Sequence, residues 1–216
     1  MRRILALVVC LMVILGIGWA LYREKGKGPA GQGAPGVPGQ QVGETAPAQD
    51  PAKEKALQLF WQGYAAYKAR RYDEAIKIFD QAIAIDPACH QAYSYKGAAL
   101  AFKGDYRQAI SALDRAIALK PDYEDAYFNK ALTYELAGSY EEALANYDRA
   151  LALNPTNPWS YYGKASIYGR LKNVPLCVEN LKRAIELDPR TKEHAKTEAD
   201  FNPVKNAPEF RKLVYE

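Results

Sequence analysis

Cys89 and His90 stand side by side, and nowhere else in this 216-residue chain do a thiol and an imidazole adjoin. Such a pair could act as nucleophile and base, or as two ligands of a metal ion. Either chemistry needs more: a third group to orient the base, or further ligands at short spacing. The chain has one other histidine, His194, two other cysteines, Cys10 and Cys177, and no CxxC or HxxxH spacing. No Ser/His/Asp set or Gly-rich phosphate loop accompanies them, and the acids fall mostly at helix caps or on solvated faces. The residues therefore point to no enzyme, no cofactor and no metal. Cys89 and Cys177 are expected to serve packing, and three scattered cysteines make no disulfide framework.

The chemistry that remains is recognition, and a repeat must position it. Pro87, Pro121, Pro155 and Pro189 recur at one fixed interval, i to i+34, at the ends of the strings AIAIDP, AIALKP, ALALNP and AIELDP. Self-similarity at such a period marks a stack of like units. Gly63, Gly97, Ala131 and Ala165 share one repeat position, and Ala75, Ala109, Ala143 and Cys177 another. Each unit carries two helix-length apolar patterns; in the third they run over 125–136 and 140–153, around Gly138 and Ser139. Ser139 with Glu142, and Asp105 with Gln108, read as capping boxes. Asn173 is the cap candidate of the fourth unit, with Pro175 in the first turn, where a missing N–H costs nothing. The small residues allow the paired helices to approach near the short end of the usual range of about 8–10 Å. Phe79, Leu113, Tyr147 and Leu181 supply volume around them, and Tyr72, Tyr106 and Tyr140 open the second helices and plug the joint.

These residues resemble the tetratricopeptide repeat. Its pattern of W/L/Y, G/A, Y/L, A, F/Y/L, A and P is met in four units, 56–89, 90–123, 124–157 and 158–189, with departures at Ala66, Val174 and Cys177. The resemblance implies an all-α fold: a right-handed α-solenoid of four helix-turn-helix repeats over 53–189, whose first helices line the concave side. After Pro189 the period fails, and 190–216 is expected to form capping helices. A polar stretch through Asp200 would meet water, while Phe201, Val204, Phe210, Leu213 and Val214 hide the last apolar face.

With the small residue at position 8 of a unit facing the partner helix, a rotation of about 100° per residue turns positions 2, 5, 9, 12 and 13 toward the groove. The candidate peptide-binding groove is then Phe60, Tyr64, Tyr67 and Lys68, then Gln91, Ser94, Ala98 and Phe102, then Asp125, Phe128 and Glu135, and last Trp159, Tyr162, Ser166 and Arg170. Clustered aromatics bring large contact area at low entropic cost, so the expected function is docking a peptide segment of a protein partner. In chaperone-binding arrays, the resemblance implies a carboxylate clamp with Lys and Asn at positions 5 and 9. Phe60 and Tyr64 stand there, and capture of a free acidic C-terminal peptide is not expected. Self-association into a homo-oligomer or an envelope scaffold is the other function left open.

Residues 4–22 form an uncharged run of 19, preceded by Arg2 and Arg3 and followed by Arg23, Lys25 and Lys27. As a helix it would extend about 28 Å, close to the hydrocarbon core of a bilayer. Residues 1–25 thus read as a transmembrane anchor, with an N-in orientation that leaves the repeats extracytoplasmic. A cleaved signal and a secreted protein is the alternative, but the run exceeds the roughly 7–15 residues of a usual signal core. Residues 26–52, rich in Gly, Pro, Ala and Gln, read as a disordered linker. Net charge is +4, and residues 1–52 carry five Lys/Arg and three acids, leaving +2 for the repeats. So weak a balance, without a dense Lys/Arg cluster, excludes nucleic acid as the main partner.

Overall fold

A computed structural model describes residues 50–216. The expected anchor and all but the last three residues of the expected linker lie outside the described residues. Among the described residues, no helix is long and apolar enough to cross a membrane. Four helix hairpins follow one another: α1 (Pro51–Lys68) with α2 (Tyr72–Ile85), α3 (His90–Phe102) with α4 (Tyr106–Leu119), α5 (Glu124–Ala137) with α6 (Tyr140–Leu153), and α7 (Pro158–Arg170) with α8 (Val174–Leu187). The amide of Ala52 donates to the Asp50 carboxylate at 3.0 Å, so α1 starts at Pro51, just inside the segment read as linker.

Local chemistry sets the turns. The residue with left-handed backbone recurs at the repeat period: Arg70 (φ 58°), Gly104 (φ 85°), Gly138 (φ 81°) and Lys172 (φ 59°). This conformation brings the next amide back onto the first helix, as in Asp105 N–H to Leu100 O at 3.0 Å and Ser139 N–H to Tyr134 O at 2.9 Å. A capping box needs that same amide as its second donor. The expected boxes are therefore incomplete. Asp105 accepts from the Gln108 amide at 3.4 Å, but the Gln108 side chain turns to the Asp105 carboxylate at 2.5 Å. Ser139 makes no side-chain cap at all. Asn173 caps α8 as expected, accepting from the Leu176 amide at 3.2 Å.

Within each hairpin the small residues admit the bulky ones. A Cβ on Gly63 would lie 2.6 Å from the Phe79 ring, and one on Gly97 would lie 2.6 Å from Leu113 Cγ. Each second helix then packs on the following first helix, and each first helix also touches the next first helix. Among the described residues, no two second helices are in comparable contact, so the stack closes on the first-helix side and fans open on the other. A ladder of ion pairs crosses the three joints: Lys96–Asp80 at 2.5 Å, Lys130–Asp114 at 2.6 Å and Lys164–Asp148 at 2.6 Å. The sequence reading passes over this ladder, although its members recur at the repeat period.

The carboxy-terminal end is closed by α9 (Arg190–Thr197), a 3-10 turn at Ala199–Phe201 and α10 (Pro208–Tyr215). Phe201, Val204, Phe210 and Val214 are buried against Cys177, Leu181 and Ala184 of α8, and Leu213 packs beside them. At the other end, Leu57 is 43% exposed and Trp61 58%.

Candidate peptide-binding groove

The expected lining residues fall into two groups, and the reason is the contact between successive first helices. Positions 5 and 9 turn partly into that joint and not wholly into open space. Phe60, 4% exposed, packs its ring against Phe79 and Tyr95 at centroid distances of 6.1 and 5.7 Å. Ser94 is fully buried and accepts a hydrogen bond from the Asn129 amide at 3.0 Å. Ala98 is buried as well. These three are corrected from groove to inter-unit packing. A helical wheel referred only to the hairpin partner cannot register this second neighbour.

The remaining aromatics of the first two units largely occupy one another. Tyr64 and Tyr67, half-buried, both meet the Tyr95 ring edge-on, at 4.9 and 5.6 Å. Phe102 lies flat on Tyr72, 5.1 Å between centroids and 6° between planes, with its outer face exposed. Burial raises the Tyr67 and Tyr95 hydroxyls above the ordinary tyrosine value, so they stay protonated. Lys68 is exposed, and Gln91 and Asp125 are half-buried. Cys89 is buried at the start of α3, and burial pushes its thiol up, the opposite of nucleophile activation. His90 meets the Tyr123 ring edge-on at 4.7 Å, and burial followed by the Lys120 charge lowers its pKa. Both residues are packing at a joint. Cys177 is core, its thiol pushed up to about 12 by burial.

The carboxy-terminal half differs. A cavity of about 310 Å³ lies between α5, α7 and the cap, lined by Phe128, Glu135, Trp159, Tyr162, Ser166 and Arg170 of the expected set. It also takes in Leu132, Leu136, Tyr147, Gly163, His194, Glu198 and Asp200. The joint here is looser, with α7 touching α5 less closely than α5 touches α3. Position 6 differs along the stack, being Trp61, Tyr95, Asn129 and Gly163 in turn. Where Tyr95 and Asn129 reach back to the preceding first helix, Gly163 has no side chain to do so.

Glu135, Tyr162 and Ser166 are buried in the cavity wall, a correction to the open positions expected from sequence. A polar network runs through them. Tyr147 donates its hydroxyl to Glu135 Oε2 at 2.7 Å, while Ser166 Oγ lies 2.8 Å from Glu135 Oε1 and 2.5 Å from Asp200 Oδ2. Arg170 donates to the same Asp200 oxygen at 2.8 Å and to the Tyr140 hydroxyl at 3.5 Å. One serine hydrogen cannot serve two carboxylates. The network is satisfied when Glu135 carries a proton and donates it to Ser166, which donates in turn to the Arg170-paired Asp200. Burial favours this state, raising the Glu135 carboxyl above the ordinary 4.5 against the opposing hydrogen bond from Tyr147. Two buried hydroxyls, those of Ser160 and Tyr162, have no partner among the described residues.

Tyr147, assigned by sequence to core volume, and Asp200, assigned to the solvating end, enter the polar network unforeseen, and Leu132, Leu136, Gly163, His194 and Glu198 line the cavity outside the expected set. Of these, Tyr147 leaves a trace in the repeat, as does its partner Glu135. Tyr147 adds a hydroxyl where Phe79, Leu113 and Leu181 stand, and Glu135 adds a charge where Tyr67, Ala101 and Gly169 stand.

Models of the tetratricopeptide repeat match residues 56–89, 96–158 and 146–179, together more than half of the chain. The chain is similar to the protein STIP1 homolog of Dictyostelium discoideum, 45% identical over 47 residues, which are 22% of this chain and 8% of that protein. The chain thus spans under a tenth of the length of the curated relative that it matches. Among solved structures, MamA is similar at TM-score 0.53 and 25% identity, over 64% of this chain and 81% of the other. The first such domain of Spaghetti (RPAP3), bound to the HSP90 peptide SRMEEVD, is similar at TM-score 0.51 and 28% identity, over 56% of this chain and 95% of the other. Repeat spacing, hairpin packing and these matches agree: the described chain is an all-α solenoid of tetratricopeptide repeats.

Proposed function

We propose that this chain is a protein-interaction adaptor that docks a peptide segment of a partner protein along its first helices, with the carboxy-terminal cavity as the anchoring point. The observation that carries the reading is that cavity, walled by aromatic rings from the third and fourth units and bounded by the cap. Large rigid rings around a concavity are the usual composition of an anchoring pocket. The similar array of Spaghetti (RPAP3) was solved with a bound peptide, which supports the general mode. It does not extend to that peptide's acidic terminus, because Phe60 and Tyr64 occupy the two clamp positions. Leu136, 37% exposed on the cavity rim, provides the test. Leu136→Arg is expected to abolish partner capture by the full chain with helicity unchanged by circular dichroism. Undiminished capture would eliminate the reading.

The proposal includes a membrane tether through residues 4–22, on the length and flanking charges of that run. The repeats then lie outside the cytoplasm, and protease added to intact cells or spheroplasts is expected to digest them. Survival until lysis would exclude this orientation.

Self-association is supported by one observation, the exposed Leu57 and Trp61. The counterparts of Trp61 in the next units, Tyr95 and Asn129, pack on the preceding first helix, so Trp61 presents a stacking face with no unit before it among the described residues. Light scattering on the full chain and on Trp61→Ser measures this: dimers lost on substitution support it, and equal masses sink it.

A further inference from the structure

We infer that the carboxy-terminal cavity receives a cationic side chain, lysine or arginine, presented by the docked peptide; the inference rests on the peptide-docking reading above. Glu135, Glu198 and Asp200 line the cavity together with Arg170 and His194; with Glu135 holding its proton and Asp200 paired to Arg170, Glu198 is the acid left without a partner among the described residues. The Arg170 guanidinium is already committed, paired with Asp200 at 2.8 Å and lying 6.0 Å from the centre of the Tyr140 ring. Glu198 makes no ion pair among the described residues and is exposed. It is free to meet an incoming charge.

The walls favour the same ligand. Trp159 and Tyr162 meet edge-on, 5.7 Å between centroids, and Phe128 lines the same cavity. The faces of such rings attract ammonium and guanidinium groups. Tyr162 is itself only 9% exposed, and its buried hydroxyl has no hydrogen-bond partner among the described residues. A buried hydroxyl without a partner is costly, and a cationic N–H donor would satisfy it. A carboxylate ligand would meet the unpaired Glu198, and a purely apolar one would leave Tyr162 and Glu198 unanswered. The volume of about 310 Å³ admits a long side chain.

Pools of terminally blocked nonapeptides, randomised in Ala, Leu, Ser and Gln around a central Lys, Arg, norleucine or Glu, are passed over the immobilised full chain. The Lys and Arg pools are expected to be retained about fivefold or more over norleucine, with Glu weakest. Glu198→Gln and Tyr162→Phe are each expected to reduce that preference, and Tyr162→Phe to do so without lowering the urea midpoint. Retention of all pools without a cationic preference overturns the inference and leaves peptide docking standing. A preference untouched by both variants places the cation elsewhere and overturns it too. No retention from any pool removes both readings.

Discussion

Tyr147 of α6 donates its hydroxyl to Glu135 of α5 at 2.7 Å, reaching it past the bare backbone of Gly163 on the following unit. One contact thus ties the hairpin of the third unit to the joint with the fourth, and it depends on a residue in each. The cavity, the buried acid and the attachment of the cap all converge there.

Gly163→Ala tests that dependence. A Cβ at this position would fall 2.3 Å from Tyr147 Cζ and 2.4 Å from its hydroxyl oxygen, so the ring must move and its bond to Glu135 is disturbed. Overpacking of this kind costs about 1–3 kcal/mol. A urea midpoint lowered accordingly is expected; a wild-type midpoint would mean that the ring has room to yield.

The Glu135 carboxyl makes stability depend on pH. Its folded-state pKa is raised, chiefly by burial, so the folded chain holds a proton that the unfolded chain releases. The stabilisation is fully present below the ordinary glutamate value of 4.5 and declines as pH climbs through the raised value. Midpoints measured across that window are expected to fall with pH in the wild type and to fall less in Glu135→Gln. Parallel profiles would refute the assignment of the proton.

Arg70 and Lys172 hold left-handed backbone, φ 58° and 59°, where the equivalent Gly104 and Gly138 hold it without a side chain to strain. A left-handed residue other than glycine costs roughly 1 kcal/mol or more, partly offset by the greater freedom of glycine in the unfolded chain. Arg70→Gly and Lys172→Gly are each expected to raise the thermal midpoint by an amount corresponding to about 0.5 kcal/mol. A lowered midpoint would locate the advantage in side-chain contacts of Arg70 or Lys172.

Ser160 is buried with its hydroxyl unpartnered among the described residues, at the repeat position that Ala92 and Ala126 fill in the preceding units. Ser160→Ala removes the desolvated hydroxyl and is expected to stabilise by about 1 kcal/mol. Denaturant titration decides it, and a loss of stability would require a partner for that oxygen in the folded state.

The repeat itself is legible in the chain without any coordinates. Fixed spacing of Pro87, Pro121, Pro155 and Pro189, small residues opposite large ones, and the break at Gly138 and Ser139 are local or periodic facts, and each hairpin forms within its own unit. The α6 bounds, Tyr140–Leu153, could be read from the chain for that reason. How neighbouring hairpins share a surface is settled instead by their packing in three dimensions. Whether Phe60 and Ser94 face a groove or a joint depends on the separation of successive first helices, which no single unit encodes. Tyr147, Ser166, Arg170 and Asp200 gather around Glu135 from the third unit, the fourth and the cap. Their meeting depends on a side chain that Gly163 lacks and on a cap that breaks the period. Periodicity describes contacts that repeat; this site is made from the ones that do not.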